Sequence, residues 1–154
     1  DLPYVLAIDR DPEVQKTLFG QTYTAAESSA RLMRWIDCWK KAGFGMWVFR
    51  EHSGEAAGHA GLFPARTDNE IETGYIVRPE YWGRGYASEM CAAVLQVGFE
   101  NLNLDVIIAN AEPSNIASRR VMEKSGMSFD CEFLLEEKWP TVRYVIRRDT
   151  WKTK

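Results

Sequence analysis

The sequence predicts a mixed α/β fold, with one central sheet holding both antiparallel and parallel strands. Three observations lead there. Segments rich in β-branched and aromatic residues follow one another at 46–51, 57–63 and 71–77, the first two joined by the turn residues His52-Ser-Gly-Glu55. A long stretch of helical spacing then separates the third segment from a continuous apolar run at 105–110, the pattern of two parallel strands joined by a helix. Two more strand-like segments, 127–135 and 141–148, close the chain as a hairpin. Helices are expected to flank this sheet.

Taken in order, residues 2–19 read as a helical region interrupted at Asp11-Pro12, where Pro12 suits a first helical turn. Thr24-Ala-Ala-Glu27 is a capping box, so a second helix opens there. Ser28, Leu32, Trp35 and Trp39 share one of its faces, Ile36 broadens the stripe, and Gly43-Phe44-Gly45 ends it. Tryptophans at this spacing suit a packed face, and a binding surface is the alternative. The helix after the third strand runs over about 87–101, with Ala87, Cys91, Val94, Leu95, Gly98, Phe99 and Leu102 in phase. The last helix starts near Ser114 and closes at Gly126, which suits a left-handed cap.

The composition bounds the class. The 154 residues read as one domain, 1–154, with 45% apolar and 27% charged residues, which is ordinary for a globular protein. A net charge of −3 offers no basic footprint for nucleic acid. No apolar run approaches the roughly 20 residues of a membrane span, and no signal-like segment opens the chain. Cys38, Cys91 and Cys131 are scattered, with no Cys/His spacing for zinc. These features point to the cytoplasm, a monomer or homodimer, no membrane, no nucleic acid and no metal.

The chemistry concentrates in residues 77–89, Val-Arg-Pro-Glu-Tyr-Trp-Gly-Arg-Gly-Tyr-Ala-Ser-Glu, where a strand enters a helix through a turn with two glycines. Glycine permits positive φ and lets an anion reach the backbone. A helix start adds unpaired N–H groups and a positive dipole end. Such a turn can cradle a pyrophosphate, although one chosen only for packing would carry the same glycines. No Gly-Lys-Ser/Thr is present, and Ser88 stands where a dinucleotide fingerprint needs its third glycine.

The longer wording goes further. Residues 79–89 resemble the acyl-CoA-binding turn of the GNAT N-acetyltransferase superfamily, and more closely its RimJ/RimL branch, whose named members acetylate the N-termini of ribosomal proteins. Asn115-Ile-Ala-Ser118 followed by Glu123-Lys-Ser-Gly126-Met127 is similar to the family's second signature, and Asp11-Pro12-Glu13-Val14 also has a family look. Glu80 departs from the Gln or Arg that many members carry three residues before the first glycine. The resemblance implies a GNAT fold, a mostly antiparallel sheet with a splayed parallel pair, here 71–77 and 105–110. It also implies an opening strand that this chain does not show at its start.

By the same resemblance the cosubstrate is acetyl-CoA, released as CoA. The backbone of Tyr75, Ile76 and Val77 would hold the pantetheine and point an N–H at the acetyl oxygen. Trp82, Gly83, Arg84, Gly85, Tyr86, Ala87 and Ser88 would hold the pyrophosphate, with Arg84 either on a phosphate or in solvent. Asn110 and Asn115 join the cofactor set, Asn115 being equally suited to a helix cap. Ser118 would contact the cofactor and protonate the departing thiolate. For a general base, Glu70, Glu72 and Gly74 alternate onto one strand face, and Glu72 is the choice, a solvent-exposed strand glutamate being the alternative. His52 in its turn suits solvent, and His59 suits packing. The segment 20–24 would border the acceptor pocket, Trp82 would pack beneath the glycine turn, and Trp139 could line the acceptor side.

The implied reaction is direct attack of a primary amine, on a protein N-terminus or a small molecule, in a ternary complex. A non-catalytic acyl-CoA-binding sensor or interaction module is the alternative, and a nucleotide-binding protein a more distant one.

Overall fold

The strand segments form a single six-stranded sheet: β1 (Met46–Arg50), β2 (Ala56–Pro64), β3 (Ile71–Val77), β4 (Val106–Ala111), β5 (Ser128–Leu135) and β6 (Trp139–Arg147). The computed structural model describes residues 1–18, 20, 23–66 and 69–151. Phe19, expected to end the first helical region, and Gln21 and Thr22 of the expected acceptor loop lie outside the described residues. Across the sheet the order is β1-β2-β3-β4-β6-β5, with β3 and β4 parallel and every other pair antiparallel. The closing hairpin therefore folds back so that its second strand, not its first, lies beside β4.

Strand alternation sorts the site residues by face. The pairs His59↔Ile76, Gly61↔Gly74 and Phe63↔Glu72 share one face of β2 and β3. Thr73, Tyr75 and Val77 take the other face. Helix α4 (Tyr86–Gln96) packs on this second face against β2 and β3, burying Met90, Cys91, Val94 and Leu95. Helix α5 (Ile116–Lys124) lies beside α4 and buries Met122.

On the first face sit α1 (Leu2–Arg10), α2 (Pro12–Gln15) and α3 (Ala25–Ala42). Each start agrees with its residues. The Asp11 carboxylate accepts the N–H of Glu13 at 2.9 Å and caps α2, with Pro12 first in the helix. At α3 both halves of the capping box form, Glu27 N–H to Thr24 Oγ1 at 3.2 Å and Thr24 N–H to Glu27 Oε2 at 2.7 Å. An ion pair between buried Asp9 and Arg31 ties α1 to α3. The Tyr4 hydroxyl and His59 Nδ1, 2.8 Å apart, tie α1 to β2.

Two boundaries differ from the sequence reading. The helix expected to run to residue 101 ends as an α-helix at Gln96 and continues as one π turn, Val97–Asn101. This turn lays Gly98 against β4, where a Cβ would stand 2.6 Å from Ile107 Cδ1. The last helix begins at Ile116, because Asn115 is its cap and cannot also be its first turn. Its far end is as expected: Gly126 has φ 90°, and the Met127 N–H reaches Met122 O at 3.0 Å. Among the described residues no helix is long and apolar enough to cross a membrane.

Gly58 fixes how closely β2 approaches β3. A Cβ there would lie 2.4 Å from the Ile76 carbonyl oxygen and 3.1 Å from Val77 Cα. Neither backbone atom can move without disturbing the strand that carries the site. Gly58→Ala should lower stability by about 1–3 kcal/mol, the usual cost of overpacking. An unshifted denaturant midpoint would show that β2 and β3 can separate freely.

Candidate active site

Strand β3 leaves the sheet at Val77 and passes through a 3₁₀ turn, Pro79–Tyr81, before entering α4. Gly83 and Gly85 both have positive φ, 75° and 84°, so the turn uses the freedom that glycine alone has without strain. A Cβ at either would meet nothing within 4 Å. The space outside the turn is therefore open to a ligand. The first helical hydrogen bond runs from the Glu89 N–H to Gly85 O at 3.1 Å, so the N–H groups of Tyr86, Ala87 and Ser88 precede the ladder. The donor set fits an anion such as a pyrophosphate.

The surroundings of the turn were not visible in the sequence. Arg78 donates to Glu55 at 2.8 Å and pairs with Glu80 as well, so its charge is spent inside the protein. Tyr81 and Tyr86 stack with ring centroids 5.8 Å apart, and the Arg84 guanidinium lies 5.4 Å over the Tyr81 ring. The Tyr86 hydroxyl donates to Glu51 of the β1–β2 connection. Trp82 does not pack beneath the turn. Its indole N–H donates to the Val77 carbonyl at 2.7 Å, and that bond holds the ring outward, 45% exposed.

The second feature is the seam between β3 and β4, whose ladder holds a single register pair, Glu72↔Ile108. Glu72 stands at this seam on the face away from α4, half-buried. Burial pushes its carboxyl well above the usual range, to about 7, despite opposing pulls. Those pulls come from the side-chain amide of Asn110, then the charges of Arg66 and Arg143, then the Asn110 N–H. Both arginines have other carboxylate partners. Arg143 donates to Glu70 at 3.3 Å, and Arg66 to Glu136 at 2.8 Å. The solvent-exposed alternative for Glu72 does not hold.

Across the seam, α5 presents Asn115 and Ser118. Asn115 Oδ1 accepts the Ser118 N–H at 3.1 Å, and its Nδ2 donates to the Thr17 carbonyl at 3.5 Å. Asn115 is thus a helix cap that also holds the end of the α1–α2 region over α5. The Tyr75 hydroxyl donates to Ser118 O at 2.9 Å and lies 3.0 Å from Ser118 Oγ. Since the phenol has one proton, the serine hydroxyl is the donor in the second contact. The sequence reading used only the Tyr75 backbone, and no local pattern reveals a side chain that meets a partner 43 residues away.

Other candidates are accounted for. His59 is buried, bonded to Tyr4 and in ring contact with Trp35 at 4.9 Å; burial and the nearby Arg31 hold it neutral, its pKa lowered to about 3. His52 is exposed. Trp35 is half-buried under Arg31, whose guanidinium lies 4.9 Å over its ring, and Trp39 packs edge-on against Trp47. Trp139 lines a surface recess of about 430 Å³ with Glu112, Pro113, Ser114 and Pro140, next to the α5 start. Among the described residues no His/Cys/Asp/Glu group could hold a metal ion.

Comparisons with known proteins converge. The sequence pattern of the Acetyltransferase (GNAT) domain family matches residues 1–128. The FsC-acetyl coenzyme A-N(2)-transacetylase of Aspergillus fumigatus is 34% identical, over 96% of this chain and 70% of its own length. A GNAT-family acetyltransferase from Bacillus anthracis superposes with a TM-score of 0.80 at 26% identity, covering 97% of this chain and 90% of that one. The spermidine N-acetyltransferase of Vibrio cholerae, solved with CoA and spermine, shares the fold with a TM-score of 0.80 at 18% identity, over 97% of this chain and 91% of its own.

The raised Glu72 pKa predicts a pH signature in stability. Between the ordinary carboxylate pKa and about 7, the folded protein holds a proton on Glu72 that the unfolded chain has lost. Folding stability must then fall as pH rises through that window. Glu72→Gln removes the titration, so the variant should gain on wild type from about pH 4.5 to 7 and run parallel above it. Paired denaturant titrations measure this. A constant difference across the window would show that Glu72 titrates normally.

Proposed function

The chain belongs to the GNAT acetyltransferase family, an N-acetyltransferase with acetyl-CoA as its donor, and we propose that it acetylates an α-amino group in the manner of the RimJ/RimL branch. The observation that carries this reading is Glu72, a half-buried carboxylate at the β3–β4 seam with its pKa raised to about 7. An α-ammonium has a pKa of about 7.7–8.0 and a lysine-like alkylammonium about 10.4. Glu72 takes a proton from the first against a gap of about one pKa unit, and from the second against more than three. The relative named as an N(2)-transacetylase agrees with a nitrogen acceptor. An amino-acid-like small molecule and a peptide N-terminus both carry the required group.

In this reading the main chain holds the donor. The N–H groups from Trp82 through Gly83, Arg84, Gly85, Tyr86, Ala87 and Ser88 take the pyrophosphate. The backbone of Tyr75, Ile76 and Val77 lines the pantetheine and offers an N–H to the acetyl oxygen, a preorganised dipole that needs no rearrangement. Asn115 and Ser118 close the thiol end from α5. The Ser118 hydroxyl, turned from Tyr75 toward the sulfur, relays a proton to the departing thiolate. Glu72 works from the opposite face, so acceptor and donor enter from different sides. A non-catalytic module would have no use for a carboxylate poised near neutrality.

We place the enzyme in the cytoplasm as one acetyltransferase domain, monomeric or homodimeric, without nucleic-acid or membrane partners. The free thiols of Cys38, Cys91 and Cys131 suit a reducing compartment, and the −3 charge attracts no polyanion.

Two measurements test the reading. Gly85→Val places a β-branched residue at φ 84° and a side chain in the space left for the pyrophosphate. By calorimetry it should weaken acetyl-CoA binding at least about tenfold while circular dichroism remains that of wild type. Unchanged affinity in the folded variant would remove the cradle. For the base, Glu72→Gln should lower turnover by about 10²–10⁴-fold at pH 6.5, with the deficit shrinking toward pH 9.5 as the acceptor becomes neutral. Amino-acid amides and N-terminal peptides should outrun polyamines in the same assay. A parallel pH profile would end the role of Glu72, and a preference for polyamines would end the α-amino assignment.

A further inference from the structure

We propose that the Asn110 side chain is a second contact for the acceptor amine: its carbonyl oxygen accepts an N–H from the acceptor nitrogen while Glu72 takes the proton that nitrogen loses. The inference rests on the reading of Glu72 as base and adds a residue that the sequence had placed with the cofactor.

The argument starts from register. Glu72 pairs with Ile108 across the parallel seam, and Asn110 lies two residues further along β4, on the same face. Its amide has two ends with opposite roles. The register sets this amide beside the Glu72 carboxylate, and it and the Asn110 N–H both act against the rise of the Glu72 pKa. Asn110 Oδ1 is left buried with no hydrogen-bond partner. Buried carbonyl oxygens are nearly always bonded, so an orphan beside a poised carboxylate points to a donor that arrives from outside.

An acceptor amine is such a donor. An α-ammonium at this position has three N–H bonds. One goes to Glu72, one to Asn110 Oδ1, and the third lies away from both. After Glu72 removes its proton, the nitrogen lone pair points where that bond was directed unless a second contact turns the amine. The bond to Asn110 Oδ1 supplies that turn and aims the lone pair at the seam. The transfer then balances. The nitrogen–carbon bond forms to the acetyl carbon, and the carbon–sulfur bond breaks with its electron pair on sulfur. Glu72 keeps the first of the two protons the ammonium loses, and the second, released from nitrogen as the amide forms, reaches the thiolate by relay through Ser118 or solvent.

The neighbouring charges do not offer the same contact. Arg143, which stands opposite Asn110 on β6, donates to Glu70 and leaves Asn110 Oδ1 unbonded, and Arg66 on the β2–β3 connection donates to Glu136; both carry only donors. Asn110 is thus the neutral acceptor at this seam among these groups.

Asn110→Leu tests the proposal, with three quantities measured on the full chain. The acceptor KM should rise at least about tenfold, and the acetyl-CoA Kd should stay within about twofold. In the free protein the Glu72 carboxyl, followed by carbon-13 NMR, should titrate at a higher pH because the side-chain amide beside it is gone. A weakened acetyl-CoA Kd with unchanged acceptor KM would return Asn110 to the cofactor and overturn the proposal. A moved Glu72 titration with an unmoved KM would make Asn110 a positioning residue only, and equally overturn it. Asn110→Ser is read by the same criteria if the leucine variant does not fold. Failure of the Glu72 reading looks different, since Glu72→Gln would then track wild type across pH while Asn110→Leu still raised the acceptor KM.

Discussion

The parallel seam between β3 and β4 is the constraint on which the rest of the site depends. Every antiparallel pair in the sheet runs through at least five registered positions, whereas this one holds only Glu72↔Ile108. Main-chain groups beyond that pair face each other without completing a ladder, and backbone N–H and C=O groups away from water require partners. An extended ligand with amide groups of its own can supply them, which is how strand addition works in general. Glu72 and Asn110 reach the seam from one face, and Tyr75 with Ser118 from the other. In the proposed function the seam therefore separates a donor side from an acceptor side before any ligand is present.

That division explains how much of the molecule was legible in the sequence. The donor side is local. The strand 71–77, the glycines at 83 and 85 and the helix that follows are contiguous, and each answers a backbone demand that residue type reveals directly. The capping box at Thr24, the Asp11 cap and the Gly126 terminus were readable for the same reason. What escaped was set by partners far apart in the chain. Tyr75 meets Ser118, 43 residues on, and the single register pair Glu72↔Ile108 sets Glu72 beside Asn110, by geometry that no spacing rule encodes. The π turn at 97–101 belongs here too, because its cause is the approach of Gly98 to Ile107 on a different element.

The two sides also differ in what they ask of side chains. A pyrophosphate and a pantetheine arm can be bound by N–H groups and open space, so the turn tolerates Glu80 and an arginine stacked on Tyr81. Asn115 illustrates the economy. Its side chain is occupied as the α5 cap and as a tie to Thr17, and both contacts stiffen the scaffold beside the seam. On the acceptor side, by contrast, chemistry depends on individual carboxylate, amide and guanidinium groups. Their identities were visible in the sequence, but their mutual placement was not.

The balance of charges around Glu72 shows why placement matters more than identity. Two arginines act on its carboxylate, and a direct ion pair with either would draw the pKa down to the ordinary carboxylate range or below. Instead Arg143 donates to Glu70 and Arg66 to Glu136, so each positive charge is met by another carboxylate and acts on Glu72 at reduced strength. Desolvation is then the larger effect, and the carboxyl rises to about 7. Glu70 thus bears on Glu72 indirectly, by holding one end of the Arg143 guanidinium. A sequence with the same residues in another register would contain the same two glutamates and two arginines, yet its carboxylates would titrate as ordinary surface acids. The raised Glu72 pKa is a property of how the β2–β3 connection, the β5–β6 turn and β6 pair their charges around β3, and the sheet order that brings β6 next to β4 is what creates it.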